Sequence, residues 1–261
     1  MIEAYFGAGK RVGEMLSRGI PFADDRQRNR EIGIKEKWSQ PGRLWRGTWA
    51  THDSGLNDYS DTFSDVLKTS LSLHLKASVE NNPNASILDI AAAETAVREA
   101  TDLGFKYGLA VSLGFGLGSL PPAEASVIEI VNGDIVEQST WQTIDEHMRA
   151  NAVPTFDVIL SRPHRGLHHF TNSVAMHFEL LQRAWRILSP QNGQLLFQMP
   201  HMTFGIGADY LEKLNATSGI TVAIGSSFQN MYGVSVHLQR TPEAPKLLPT
   251  PKMLGISLHK L

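Results

Sequence analysis

Four histidines lie close together shortly after residue 160. They are His164, His168, His169 and His177. Histidine changes charge near physiological pH, so residues of this type transfer protons or bind metal ions. No patterned carboxylate lies nearby and no H-x-x-x-H helix is predicted there, so the sequence favours a loop that lines a cleft. We therefore predict no metal site.

A second group of residues that could bind a ligand combines cations with indole rings between residues 26 and 49. Its members are Arg26, Arg28, Arg30, Lys35, Lys37, Trp38, Arg43, Trp45, Arg46 and Trp49. Cations beside aromatic rings suit single-stranded RNA, through phosphate contacts and base stacking. The interspersed acids favour the alternative, a helical extension whose tryptophans pack on the domain and whose cations stay solvated. RNA binding at this segment stays open, as does a protein partner elsewhere on the chain.

A third candidate is the alternating glycine run from Gly114 to Gly118. Asp134 follows about 20 residues later. A dinucleotide-binding fingerprint has the acid that binds the ribose at this spacing from its glycines. That fingerprint requires a helix to begin at the glycines, so that the helix N-terminus holds the pyrophosphate. Residues 119–122 read Ser-Leu-Pro-Pro and leave too little room for such a helix before Ser126. The sequence favours a flexible loop.

The composition is that of an ordinary globular protein. Of the 261 residues 42% are hydrophobic and 19% charged, which is enough apolar material for a core. The absence of cysteine excludes disulfides and thiolate zinc sites. A net charge of −2 gives no overall attraction for polyanions. No apolar run approaches the roughly 20 residues of a membrane helix, and no signal peptide is recognisable, so we expect an intracellular, cytoplasmic protein.

Short apolar runs alternate with helical stretches from residue 86 onward. This alternation predicts β-α units around a mostly parallel sheet. Strands are predicted over 86–91, 107–113, 126–131, 156–161 and 193–199. Helices are predicted over 94–103, from a cap at Ser139, over 172–188 and over 208–217.

The last two apolar runs, 220–225 and 233–239, are too close for a crossover helix between them. They are expected to pair as an antiparallel hairpin at the end of the sheet. The predicted fold is therefore α/β and Rossmann-like, with about seven mostly parallel strands, a terminal antiparallel hairpin and helices on both faces. We divide the chain into a helical extension (1–80), this domain (81–241) and a C-terminal tail packed on it (242–261).

The order of motifs over residues 84–240 resembles a class I methyltransferase that depends on S-adenosylmethionine (SAM). The corresponding segments are Ile-Leu-Asp-Ile-Ala-Ala-Ala (87–93), Asn-Gly-Asp-Ile (132–135), Phe-Asp-Val-Ile-Leu-Ser (156–161) and the helix-to-strand segment 180–193. The resemblance implies SAM as the cofactor. The cofactor-binding residues that it implies are Asp89, Ala91, Ala92, Ala93, Ser112, Leu113, Asp134, Ile135 and Ser161.

Within that fold, three stretches are similar to FtsJ-type ribose methyltransferases. They are residues 108–113, 132–135 and 226–234. The FtsJ-type enzymes deprotonate a ribose hydroxyl with a Lys-Asp-Lys-Glu constellation.

That constellation is not recognisable in this chain. The matching positions hold Arg162, Gln198 and Asn230, with Lys68 or Lys76 as candidates for the first lysine. Arginine stays protonated and cannot act as a base. The catalytic residues are therefore unassigned.

Three further departures concern the cofactor itself. The loop 91–93 holds alanines where glycine normally lets the backbone approach the ligand. The carboxylate of Glu94 would face the carboxylate of the cofactor if it pointed inward. The second strand ends at Ser112 without the acid that binds the ribose hydroxyls in the family. Two functions stay open: a divergent methyltransferase acting on RNA or a small molecule, and an inactive methyltransferase-fold protein that serves as a binding or partner subunit.

Overall fold

The structure, a computed structural model, covers most of the chain after residue 54. The residues that it describes are 55–90, 94–112, 127–133, 135, 138–161, 174–199, 201–225 and 234–256. No helix in these ranges is long and apolar enough to cross a membrane.

Helices occur before, between and after the strands. They are α1 (Leu56–Leu67), α2 (Leu71–Asn81), α3 (Thr95–Asp102), α4 (Gln138–Ala150), α5 (Val174–Ile187) and α6 (His201–Asn215). The strands are β1 (Ser86–Ile90), β2 (Tyr107–Ser112), β3 (Val127–Asn132), β4 (Val158–Ser161), β5 (Gly193–Met199), β6 (Ile220–Ile224) and β7 (Val234–Arg240).

All the strands join one seven-stranded sheet in the order β3-β2-β1-β4-β5-β7-β6. The first five strands are parallel to one another. β7 lies between β5 and β6 and is antiparallel to both. The predicted sheet and its terminal antiparallel pair are therefore confirmed.

Some predicted boundaries were wrong. α4 already includes Gln138, so Ser139 lies inside the helix rather than capping it. α6 begins at His201, seven residues before the predicted start, although its first two turns contain Gly205 and Gly207. At the start of the fourth strand, Phe156 forms only an isolated bridge, with Leu188. The neighbouring elements decide these ends, because strand and helix ends are set by tertiary packing as much as by local propensity.

Each face of the sheet carries its own hydrophobic core, because successive strand residues point to opposite faces. On one face, Ile87 of β1 lies in a core with residues of α1, α2 and α3. On the other, Leu88 lies in a core with residues of α4, α5 and α6. Helices therefore cover both faces, and α1 and α2 share a core with the sheet although both begin within the predicted helical extension (1–80).

Close contact between α3 and β2 depends on Gly108. A Cβ atom at this position would lie 2.3 Å from Cγ1 of Val97 and 3.3 Å from Cγ2 of Thr101. Glycine therefore lets α3 lie against the sheet immediately after β1. The contact lies near the amino end of the strand, because Gly108 is the second residue of β2 and pairs with Ile87 of β1.

The segment 241–256 runs along α5 and α6. Leu248 is buried, and its backbone N–H and carbonyl both bond the Gln182 side chain. Trp185 donates its indole N–H to the carbonyl of Pro245 over 3.0 Å, and the Tyr210 hydroxyl donates to that of Pro249 over 2.9 Å. Side chains of α5 and α6 thus form hydrogen bonds with backbone groups of this segment.

Candidate functional site

The carboxyl ends of β1, β2, β3 and β4 meet at one edge of the sheet. Ile90, at the end of β1, pairs with Val111 of β2 and with Ser161 of β4. Ser112 and Asn132 pair at the ends of β2 and β3. The strand order reverses between β1 and β4, and ligands of open α/β sheets bind outside the carboxyl ends of the strands at such a reversal. This edge is therefore the candidate functional site.

Asp89 is the predicted site residue with the clearest surroundings. It lies one residue before the end of β1, is fully buried, and pairs with Ala110 and Leu160 on the adjacent strands. Its Oδ2 accepts a hydrogen bond of 2.7 Å from the hydroxyl of Tyr59, which is itself buried. A side chain of α1 therefore holds this carboxyl group at the site.

α1 crosses the sheet near this edge. At its first residue, the backbone N–H of Leu56 donates to Oε2 of Glu99 on α3 over 2.5 Å. One turn further, Tyr59 reaches β1. In the next turn, the carbonyl of Thr62 accepts a 2.5 Å hydrogen bond from Ser235 on β7. Because Ser235 pairs with the penultimate residue of β5, α1 follows the edge from β1 to β7.

Glu94 lies directly before α3 and four residues after Ile90, the last residue of β1. Its backbone has helical angles, φ −86° and ψ −14°, and its side chain makes no capping hydrogen bond with its own helix. Its Oε2 atom is buried and accepts no hydrogen bond from the described residues. Glu94, a partly exposed residue, therefore has one buried carboxylate oxygen that receives no hydrogen bond in the described part of the chain.

The structure brings three of the predicted cofactor residues to the same edge. Asp89, Ser112 and Ser161 lie on β1, β2 and β4, at or next to the strand ends. Ile135 follows β3; it is buried in the core shared with α4, and its carbonyl accepts a 2.7 Å hydrogen bond from the indole of Trp141. Its side chain therefore contributes to the core.

Other predicted site residues lie outside the described ranges. They are Ala91, Ala92, Ala93, Leu113 and Asp134. The same holds for the glycine run after β2, for His164, His168 and His169, and for the cation and tryptophan segment 26–49. His177 belongs to α5, whose first residues are described by their backbone alone. The roles given to all these residues stay predictions.

Of the positions matched to the FtsJ-type constellation, three are described. Gln198 is buried near the end of β5. Lys68 follows α1, is exposed, and lies 3.3 Å from the carboxylate of Asp65. Lys76 is exposed on α2. Arg162 and Asn230 lie outside the described residues.

The sequence analysis missed Tyr59. Its position could be read from the apolar spacing Leu56, Tyr59, Phe63 and Val66, which marks one buried helix face. Its contact with Asp89, 30 residues away in the chain, follows only from the path of α1 over the sheet.

A carboxylate network lies away from the candidate site, beside β3. Oε2 of Glu129 accepts hydrogen bonds from the Tyr107 hydroxyl, His147 Nδ1 and the Asn151 amide, at 2.7, 2.7 and 2.9 Å. Burial opposes ionisation of Glu129, but these three hydrogen bonds outweigh it and lower the pKa of the carboxyl group. Burial, followed by the adjacent Glu129, raises the pKa of Tyr107. The network joins β2, β3 and α4.

A pair of histidines lies over β5 and β7. Nε2 of His74 on α2 and Nε2 of His237 on β7 both bond Oε1 of Gln194, the latter over 3.0 Å. Burial and then the nearby charge of His74 lower the pKa of His237 to about 4. Burial also lowers the pKa of His74, although its bond to Gln194 opposes this change. Both rings therefore prefer to be neutral.

No family model matches the sequence, and no curated protein matches it significantly. Solved structures show likenesses at low identity. A Streptococcus mutans chain assigned as a SAM-dependent methyltransferase is 16% identical, with a TM-score of 0.41 over 64% of this chain and 48% of that one. The magnesium protoporphyrin IX methyltransferase of Synechocystis with bound SAM is 11% identical, with a TM-score of 0.47 over 81% and 97%. An O-methyltransferase of Bacillus cereus is 10% identical, with a TM-score of 0.43 over 92% and 100%.

This chain spans about half of the length of the Streptococcus mutans chain. The fold class rests on the sheet itself. A seven-stranded sheet that is parallel except for β7, with helices on both faces, is a Rossmann-like methyltransferase fold. The fold class predicted from the sequence is therefore confirmed.

Proposed function

We propose that this chain binds SAM at the carboxyl edge of β1 to β4 and transfers its methyl group to an acceptor, which is RNA or a small molecule. The observation that carries this proposal is the buried Asp89, one residue before the end of β1, where the strand order reverses. Fold alone does not determine function, so the proposal depends on what this edge binds.

The chemistry suits a site without an assigned base. Methyl transfer from a sulfonium is an in-line displacement, so holding the two reactants in line supplies much of the acceleration. A general base is unnecessary when the acceptor is already nucleophilic. We further propose that the chain is a divergent relative of FtsJ-type enzymes that has lost their lysine-based deprotonation.

The alternative is a protein that keeps the fold and serves as a binding or partner subunit. The observation that favours it is Glu94, next to the loop expected to hold the amino-acid end of the cofactor, because it would repel the cofactor if the two carboxylates faced each other. Under this alternative, RNA binds the segment 26–49, or a protein partner binds the surface of the domain.

Calorimetric titration with SAM and with S-adenosylhomocysteine tests the binding proposal. We expect both ligands to bind, with the adenine beside Asp134 and Ile135. Asp134→Ala should weaken SAM binding by about tenfold or more, because it removes a hydrogen bond to a desolvated partner. Unchanged affinity in that variant would disprove the adenine assignment, and a wild-type protein that binds neither ligand would favour the non-enzymatic function.

A further inference from the structure

Glu94 carries a carboxylate oxygen that the surrounding protein does not satisfy. An acid directly before a helix ordinarily accepts hydrogen bonds from the free N–H groups of the first turn. Glu94 makes no such bond, and its buried Oε2 has no hydrogen-bond partner among the described residues. Burying a charged oxygen without a partner costs free energy, so an atom of this kind indicates a missing ligand or ion.

Neighbouring cations do not account for this carboxylate in the described ranges. The ion pairs found there are Lys68–Asp65, His147–Glu129, Arg183–Glu179 and Arg186–Asp145. None of them includes Glu94. Glu94 also lies near the carboxyl end of β1, because only residues 91–93 separate it in the chain from Ile90, the last residue of that strand.

We propose that Glu94 binds the α-ammonium group of the methionyl end of SAM. This inference rests on the proposed function, because it assigns a contact within the same site. An ammonium group offers three donors and a full positive charge, so it satisfies a buried carboxylate with a charge-assisted hydrogen bond. The acid then selects the orientation of the amino-acid end, with the ammonium toward α3 and the carboxylate of the cofactor away from it.

A comparison of two ligands distinguishes the contact of Glu94 from the other contacts of the site. S-adenosylhomocysteine carries the ammonium group, whereas 5′-methylthioadenosine has the same adenosine and sulfur without it. In calorimetric titrations, Glu94→Gln should weaken S-adenosylhomocysteine binding by about tenfold, the usual scale for one charge-assisted hydrogen bond. It should leave the affinity for 5′-methylthioadenosine within about twofold.

A matched control is Asp102→Asn, which removes an equal charge from an exposed position at the other end of α3. It should leave both affinities unchanged. Without ligand, the thermal midpoint of Glu94→Gln should equal or exceed that of the wild type, because the carboxylate has no partner to lose.

Three results would overturn the inference. The first is equal or tighter binding of S-adenosylhomocysteine by Glu94→Gln, which would mean that the two carboxylates face each other. The second is an equal loss for both ligands together with a lowered thermal midpoint, which would mean a structural role. The third, a wild-type protein that binds neither SAM nor S-adenosylhomocysteine, would overturn the proposed function as well and is thereby distinct from the other two.

Discussion

Among single residues, Tyr59 has the clearest expected effect on stability. Its hydroxyl donates to the fully buried carboxyl of Asp89. Tyr59→Phe removes this donor at almost constant volume, so the free energy of unfolding should fall by about 1–3 kcal/mol in urea denaturation. The matched control is Tyr210→Phe, whose buried hydroxyl donates to a neutral carbonyl and should cost only about 1 kcal/mol. A loss for Tyr59→Phe no greater than that of the control would argue against this role.

The Tyr59–Asp89 pair also shows which contacts of single residues could not be predicted from the sequence. Asp89 could be assigned to the site because it is the acid within the apolar strand run of a recognisable motif. Tyr59 could not, since its role depends on the angle at which α1 crosses β1. Similarly, the resemblance of residues 132–135 to the methyltransferase family placed Ile135 at the site but did not predict that its side chain would join the core with Trp141.

The histidine pair predicts how stability depends on pH. The folded-state pKa of His237, about 4, lies below the unfolded value of 6.5, so the unfolded chain binds more protons between these values. The stability contributed by the neutral rings is therefore complete above pH 6.5 and is lost as the pH falls toward 4. Urea midpoints should show a loss of up to about 2 kcal/mol from His237 between pH 7 and pH 5.

Replacing the histidine isolates this contribution. His237→Gln should flatten the pH dependence over that interval. Glu129 does not contribute to the pH dependence in this interval. Its lowered pKa affects the free energy of unfolding only when the pH falls below 4.5, the ordinary pKa of a glutamate. A slope that persists unchanged in the variant would refute the assignment.

Among the secondary-structure elements, α5 has an unusual C-terminal partner in Arg240. This buried residue of β7 donates from one guanidinium nitrogen to the carbonyls of Trp185 and Leu188, at 2.8 and 2.7 Å. The last carbonyls of a helix lack partners within the helix and carry partial negative charge, so a cation there satisfies both needs. Arg240→Met should therefore lower the free energy of unfolding by about 2–3 kcal/mol.

Arg186 provides the control on the same helix. It forms a half-exposed ion pair with Asp145 over 3.3 Å, and such pairs contribute little. Arg186→Met should cost less than about 1 kcal/mol in the same chemical denaturation. Comparable losses for both arginine variants would show that Arg240 has no special capping role.

The elements themselves were mostly readable from the sequence. Apolar runs located the strands, and the short connection after residue 225 predicted the antiparallel pair. The start of α6 was missed because Gly205 and Gly207 suggest a loop, whereas the structure continues the helix back to His201. The register of α1 against β7, fixed by the bond from Ser235 to Thr62, has no local signal in either segment.

For the molecule as a whole, we predict that it does not methylate RNA ribose by a lysine-base mechanism. That mechanism needs a lysine whose pKa is lowered by burial and by placed partners. Gln198 at the fifth-strand position is buried and has no titratable group, and Lys68 and Lys76 are exposed. The other acid nearby in the sequence, Asp157, bonds the backbone N–H of Ser86 over 2.9 Å, at the opposite end of β1 from the candidate site.

A methylation assay with radiolabelled SAM on a panel of RNAs checks this prediction. The variants to compare with the wild type are Lys68→Ala, Lys76→Ala and Gln198→Lys. We expect no ribose methylation that depends on a single lysine. Robust 2′-O-methylation by the wild type that one of the lysine substitutions abolishes would contradict this expectation.

The position of β7 has a consequence for how the protein is made. A ribosome delivers β5 first, then β6, and only afterwards the strand that lies between them. Until residue 240 has emerged, β5 has an unpaired edge and β6 has no partner strand at all. Open strand edges are templates for aggregation, and chains begin to fold during synthesis. The nascent chain is thus most in need of chaperone protection between the emergence of β5 and that of β7, and this end of the sheet forms in one step once β7 has emerged.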